Sequence, residues 1–214
     1  MAEISALKDQ LISILNKELP GEAAQQKMAS YKRAQPKDLN KQHIKPRLSA
    51  VLVNLFYLDG ALHCTLIQRP DYDGTHSGQV AFPGGKKEDD DRDLIATALR
   101  ESQEEVGTKA EDVEIIGALS ELYIPPSNFL VSPFIGLSSK APAYTIDPYE
   151  VAEAFHFPLR LLHDPGYFEV KRIFIKHYKT HINAPSFQYE GKTIWGATAM
   201  MLSELKEVIP ESFL

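Results

Sequence analysis

Three glutamates, Glu101, Glu104 and Glu105, stand at i, i+3 and i+4 in the segment LIATALRESQEEV. On a helix that spacing makes them mutual neighbours. Advancing about 100° per residue from Leu94 places Leu94, Ile95, Ala98, Leu99, Ser102 and Val106 on one buried arc. The three glutamates fall on the arc beside it, near the helix C-terminus. Like charges so placed repel, and carboxylates there oppose the helix dipole. A divalent cation among them would reverse both effects, and hard cations such as Mg²⁺ or Mn²⁺ prefer oxygen ligands. On the helix alone, a solvated acidic face explains the same pattern.

The residues before the helix favour chemistry. Phe82-Pro83-Gly84-Gly85 offers two adjacent glycines where the backbone can approach a ligand closely. Glu88, Asp89, Asp90 and Asp91 add acids, and Arg100 is placed to pair with Glu104 at i+4.

These residues must be positioned by a fold. Apolar residues at helical spacing from Ile4 to about Leu19 predict an N-terminal helix ended by Pro20-Gly21. Residues 1–45 are read as a helical extension, and 46–214 as the main domain. LSAVLVNLFY and ALHCTLIQR read as strands joined at Asp59-Gly60, a hairpin signal. Asp91 is a candidate N-cap for a helix ending at Gly107. Strand-like stretches recur at DVEIIGALS, FLVSPFIGL, around Phe155, in YFEVKRIFIKHYK and at TIW, and a last helix covers ATAMMLSELKEVI. The expected class is α/β: a mixed sheet between helices on both faces.

Composition narrows the function. The chain has 214 residues with a formal net charge of −6 and no evident basic stripe, which argues against a nucleic-acid partner. An anionic substrate must therefore be met by a local device, a bound cation or a few placed arginines. No apolar run approaches the roughly 18 residues of a membrane span. The N-terminus lacks the apolar core of a signal peptide, and the lone Cys64 fits a reducing, cytoplasmic setting. Cys64 itself reads as a small core residue.

The segment from Gly85 to Thr108 looks like the signature box of the Nudix hydrolases: Arg100-Glu101, Glu104-Glu105 and Gly107 fall on its pattern. Ser102 replaces the usual apolar residue, the loop acid is Asp91, and the loop is one residue longer than the general box. That spacing resembles the coenzyme A pyrophosphatases. Their upstream motif is similar to Arg69, Gly78 and Phe82-Pro83-Gly84-Gly85 here, although Pro70 and Gly74 stand where the motif has serine and a second arginine. Segments beginning at Ser127, Glu150 and Ile194 also resemble that subfamily, so the likeness spans about Pro46 to Met201.

The resemblance implies a Nudix-type α/β/α sandwich that hydrolyses the pyrophosphate of a nucleoside diphosphate derivative. The substrate it favours is coenzyme A or an acyl-CoA; ADP-ribose or NADH is the alternative, and a nucleotide sensor without catalysis is a third reading. Glu101 and Glu105 would be the principal metal ligands. Glu104 would be a further ligand or a carboxylate oriented by Arg100, and the Gly85 carbonyl an additional ligand. Glu150 and Glu153 are the general-base candidates beyond the box, with ordinary surface acids as the other reading. Arg69 would pair with a substrate phosphate or simply end a strand; Gly84, Gly85 and His76 would sit at the substrate mouth, His76 equally as a structural loop residue. His177 and His181 read as surface residues, and Trp195 as core packing. Gly74 leaves the coenzyme A 3′-phosphate without its arginine: Lys86, Lys87 or Arg92 substitutes, or the substrate lacks that phosphate. A small nucleotide is the expected partner, and a homodimer is a possible assembly.

Overall fold

The computed structural model describes residues 2–31, 34–74, 76–175 and 179–214. Two strands begin the sheet, β1 (Arg47–Leu58) and β2 (Ala61–Gln68). They are joined by a two-residue turn in which Asp59 and Gly60 both take positive φ, 51° and 78°. A turn of that hand matches the strand twist, which is why the Asp-Gly pair was readable as a hairpin.

The strands pair only from Leu55 to Cys64 and then part. Short strands β3 (Val80–Ala81) and β4 (Gly84–Lys86) take over the freed edges, β3 on β2 and β4 on β1. Further along come β5 (Val113–Ala118), β6 (Leu122–Ile124), β7 (Phe129–Ser138) and β8 (Glu153–Pro158), which complete an eight-stranded sheet. β7 lies parallel to β1 from Arg47↔Phe129 to Leu55↔Leu137, and the other pairings are antiparallel, so the sheet is mixed. Among the described residues, β9 (Phe168–Ile175), β10 (Thr180–Tyr189) and β11 (Lys192–Trp195) form a separate antiparallel sheet that the sequence reading did not anticipate. β9 is mostly exposed and carries no clean apolar alternation to announce a second layer.

Alternate residues of β1 serve opposite faces. Ala50 and Leu52 pack against Ala98, Leu94 and Leu99 of helix α3 (Leu94–Val106). Val51, Val53 and Leu55 join the larger core with Leu7 and Leu11 of α1 (Ala2–Leu15) and Met200, Leu202 and Leu205 of α4 (Gly196–Val208). Helices therefore cover both faces, as expected. Cys64 is fully buried, and burial pushes its thiol well above the usual range.

The N-terminal segment departs from the expected single helix. α1 stops at Leu15, and a second helix, α2 (Gly21–Gln26), begins where Pro20-Gly21 was expected only to end the first. α2 is tied to the main body by Glu204, a fully buried carboxylate of α4. It accepts hydrogen bonds from Gln25 Nε2 (2.8 Å), Ser120 N (3.1 Å) and Gly21 N (3.2 Å). Three donors offset the cost of burying that charge. No helix among the described residues is long and apolar enough to cross a membrane.

Candidate active site

Helix α3 brings the acidic residues to the point where β1 and β2 part. It is capped by Asp93, whose side chain accepts from Ala96 N at 2.7 Å. The expected N-cap, Asp91, lies two residues too early and has another task. Its carboxylate accepts from Arg100 Nε (2.9 Å) and Nη2 (3.0 Å), Thr97 Oγ1 (2.9 Å) and Glu88 N (2.9 Å). The Arg100 bonds above all hold the Asp91 carboxyl well below the usual carboxylate range and raise the guanidinium further. Arg100 also donates to Glu104 (2.8 Å), Glu101 (3.0 Å) and the Lys86 carbonyl (3.1 Å), so the expected i+4 pair is one arm of a larger clamp. Gly107, with φ 74°, ends the helix in the left-handed conformation that glycine adopts without strain.

The burial of α3 differs from the sequence-derived arc. Thr97 and Glu105 are buried, whereas Leu94, Ile95 and Leu99 are only partly so. Glu105 is 1% exposed. Its Oε2 accepts from Gly84 N at 2.8 Å, and its Oε1 lies 3.7 Å from Arg69 Nη1. Desolvation pushes its carboxyl up to about 8, against the pull of the Gly84 amide and Arg69. Glu101 is raised as well, chiefly by burial. Oxygens of Glu101, Glu105 and Glu150 lie within 4.8 Å of one another. Three carboxylates packed this closely, two of them desolvated, are a donor set suited to a hard divalent cation.

The glycine pair is required by close approach. A Cβ on Gly85 would stand 2.5 Å from the Glu101 carboxylate, and one on Gly84 2.3 Å from the Ala50 carbonyl oxygen. Gly84 also holds φ at 152°, which L side chains rarely adopt.

A cleft of about 460 Å³ opens above this cluster, bounded by Arg69, His76, Phe82, Gly84, Gly85, Glu101, Glu105 and Glu150. That volume suits a small ligand. The structure therefore brings together Glu101, Glu105, Glu150, Arg69, Gly84, Gly85 and His76. Arg69, just past the end of β2, lines the cleft with its Nε buried and unbonded. His76 contacts Gln79 at 3.2 Å. Glu104 stands outside the cluster, exposed and held by Arg100. Of the two candidates beyond the box, Glu150 joins the cluster, and Glu153 pairs with Lys192 at 2.9 Å. His181 is exposed on β10 against Phe174, and Trp195 is half-buried at the start of α4. His177 lies outside the described residues.

Sequence reasoning missed Arg47, Tyr72 and Phe129, which also line the cleft. Arg47 and Phe129 are far apart in sequence and meet only through the parallel β1–β7 register. No local signal points to them.

Comparison with known proteins gives the family. The NUDIX domain profile matches residues 45–178. The Yersinia pestis protein named "Uncharacterized Nudix hydrolase NudL" is 38% identical over 148 residues, 67% of this chain and 71% of that protein. Among solved structures, the Nudix hydrolase RenU from M. smegmatis aligns over 76% of this chain and 85% of its own, at 16% identity and a TM-score of 0.48. The NUDIX domain of Shewanella oneidensis NrtR, solved with ADP ribose, aligns over 61% and 87%, at 20% identity and a TM-score of 0.47.

Proposed function

The chain belongs to the Nudix hydrolase family, a pyrophosphohydrolase by that membership, and from this premise we propose that it cleaves coenzyme A or an acyl-CoA to 3′,5′-ADP and the (acyl)phosphopantetheine. The observation that carries the reading is the set of three carboxylates, Glu101, Glu105 and Glu150, converging beside Gly84-Gly85 at the base of a ligand-sized cleft. Support for coenzyme A comes from where the subfamily-like segments fall. Arg69, Gln79 and Phe82 upstream, and Ser127, Phe129, Ala197 and Thr198 downstream, all line that cleft.

In this reading Glu101 and Glu105 hold the cation, Mg²⁺ or Mn²⁺, with the Gly85 carbonyl as an additional ligand. The residues fit the role: Glu105 is a buried carboxylate whose nearest positive charge, Arg69, stands off at 3.7 Å. A cation bound there would neutralise charge on the phosphate oxygens and acidify an attacking water, worth several kcal/mol of barrier. Arg69, beside Glu105 in the same cleft, pairs with a phosphate of the substrate. Glu150, the exposed member of the cluster, takes the proton of the attacking water. Arg100 acts as a positioning residue. It fixes Glu101 and Glu104 while its own charge is spent on Asp91. Glu104 is the outer carboxylate of the set, and His76 closes the mouth of the cleft with Gln79.

A second reading, ADP-ribose or NADH on the same residues, rests on Gly74, which leaves the 3′-phosphate without its usual arginine. The test is incubation with Mg²⁺ or Mn²⁺ and, separately, coenzyme A, ADP-ribose and NADH, with products identified by mass. Coenzyme A should be the fastest of the three. Faster turnover of ADP-ribose or NADH would overturn the substrate assignment.

A further inference from the structure

We propose that the end of the cleft formed by Arg47, Lys86, Ser49 and Ser127 binds a second phosphate group, a monoester carried on the ribose next to the substrate's pyrophosphate. The inference rests on the reading of the cleft as a pyrophosphohydrolase site and identifies the substrate class that site prefers.

The position of Gly74 cannot supply a cation. A Cβ there would stand 2.2 Å from the Tyr72 ring, which occupies the space where a side chain would begin. Lys87 donates to the Asp91 carbonyl at 2.7 Å and to that of Glu88 at 3.3 Å. Arg92 is paired with Asp93 at 3.4 Å and does not line the cleft. Arg69 faces Glu105.

Two cations remain in the cleft without a carboxylate partner among the described residues, Arg47 and Lys86. Lys86 pairs with Ser49 across β1–β4, and Arg47 lies two residues before Ser49 on the same face of the strand. Arg47 and Lys86 are thus diagonal neighbours, about 7–8 Å apart. Arg47 is four residues before Val51, the partner of Gly84, so at about 3.3 Å per residue it lies roughly 13 Å along the strand from the glutamate cluster. A pyrophosphate and one pentose span such a gap.

Arg47 is preset for an anion. Its guanidinium lies 4.2 Å over the Phe129 ring, and Nη2 donates to the Ser127 carbonyl at 2.6 Å. That carbonyl is fixed by a turn in which Asn128, at φ 54°, donates to the Lys45 carbonyl and accepts from Tyr123. The remaining guanidinium donors are free for a phosphate, the group that a fixed arginine fork recognises best. Ser127 itself lines the cleft at 8% exposure, and its hydroxyl has no hydrogen-bond partner. A buried hydroxyl left unpaired beside a carboxylate-free cation is what an unfilled anion subsite presents.

Calorimetric binding of adenosine 3′,5′-bisphosphate and of 5′-AMP to the wild type, Arg47→Ala and Lys86→Met tests the proposal. The wild type should bind the bisphosphate at least about tenfold more tightly than AMP. Arg47→Ala should remove most of that difference, and Lys86→Met should narrow it. Because Arg47 is exposed, alanine there leaves the core untouched, which thermal unfolding verifies. Turnover gives a second readout: the kcat/KM ratio of coenzyme A over its 3′-dephospho form should fall about tenfold in Arg47→Ala. Equal wild-type affinities for the two nucleotides would overturn the subsite. So would an equal loss of both in Arg47→Ala, which would make Arg47 a base-stacking surface. Calorimetric discrimination without turnover of either coenzyme form would support the subsite while refuting the coenzyme A hydrolysis proposed above.

Discussion

The carboxylates around Arg100 and those around Gly84 meet at Glu101, yet their charges are met in opposite ways. Asp91 is buried against a guanidinium that donates to it twice, with a hydroxyl and an amide completing its shell. Glu105 is buried with one amide and an arginine 3.7 Å away, and Glu101 and Glu150 add like charge. The first arrangement is neutralised within the chain. The second has too few partners for its charge, so burial keeps a proton on Glu105 up to about pH 8 unless something outside the chain, such as a cation, completes it. Stability and function are thus separable between two neighbouring groups, and substitutions should sort accordingly.

The largest effect is expected from Glu105→Gln. Losing one carboxylate of the cluster should lower metal-dependent turnover at least about a thousandfold, several kcal/mol of barrier. The fold should survive, because glutamine keeps the shape of a carboxyl that burial already holds largely protonated at neutral pH, and its amide oxygen can still accept from Gly84 N. Full activity in this variant would remove Glu105 from the metal site.

The same residue makes a prediction about pH. Its carboxyl stands at about 8 in the folded protein, above its ordinary value near 4.5. The folded state therefore holds a proton that the unfolded chain releases between those values. Without a divalent cation, stability should be highest below about pH 4.5 as far as this group is concerned, and should fall as pH rises towards about 8. The loss is on the order of a few kcal/mol. Added Mg²⁺ or Mn²⁺ should restore stability, and more so at pH 8 than at pH 5. Melting temperatures across that range, with and without cation, decide it. A cation effect independent of pH would mean that Glu105 is not among the ligands.

Asp91→Asn probes the other group and should chiefly affect stability. Its carboxyl is held below the usual range, so its contribution is present above about pH 4 and is lost as pH falls through the depressed value. Replacing it should cost about 1–3 kcal/mol, discounted because Arg100 is partly exposed. Urea unfolding at pH 7 measures this. A drop in turnover as deep as that of Glu105→Gln, in a stably folded variant, would erase the distinction between the two groups.

How much of this was legible in the sequence depended on range. The Asp59-Gly60 turn and the Gly107 cap were readable because each is set by backbone conformations at one or two residues. The glutamate cluster was readable in part, since i, i+3 and i+4 spacing survives in any helix. Its division was anticipated only through the family resemblance, which made Glu101 and Glu105 the ligands; spacing alone leaves open which of Glu104 and Glu105 is buried, because that depends on how α3 rotates against β1 and β4. Asp91 and Asp93 could both cap a helix by type, and only the reach of Arg100 separates them. Glu150 and Glu153 differ by which one meets Lys192 of the second sheet, a contact that no local pattern announces. Arg47 acquires meaning only when Phe129 arrives beside it in the parallel register.

The smallest stability effect belongs to Glu104→Gln, and it sharpens the boundary between the two groups. Glu104 is an exposed i+4 partner of Arg100 at 2.8 Å, 55% accessible at its side chain. The pair runs arginine to glutamate, the weaker orientation on a helix, and exposed pairs of this kind contribute only about 0.3–0.5 kcal/mol. Arg100 keeps Asp91 and Glu101 when Glu104 is neutralised, so the melting temperature should move by no more than about a degree or two. Turnover should fall more modestly than in Glu105→Gln, on the order of tenfold, as befits the outer carboxylate of the cation site. A thousandfold loss would draw Glu104 into the inner set with Glu105. Unchanged turnover would leave it wholly with Arg100, and the functional cluster would then be Glu101, Glu105 and Glu150 alone.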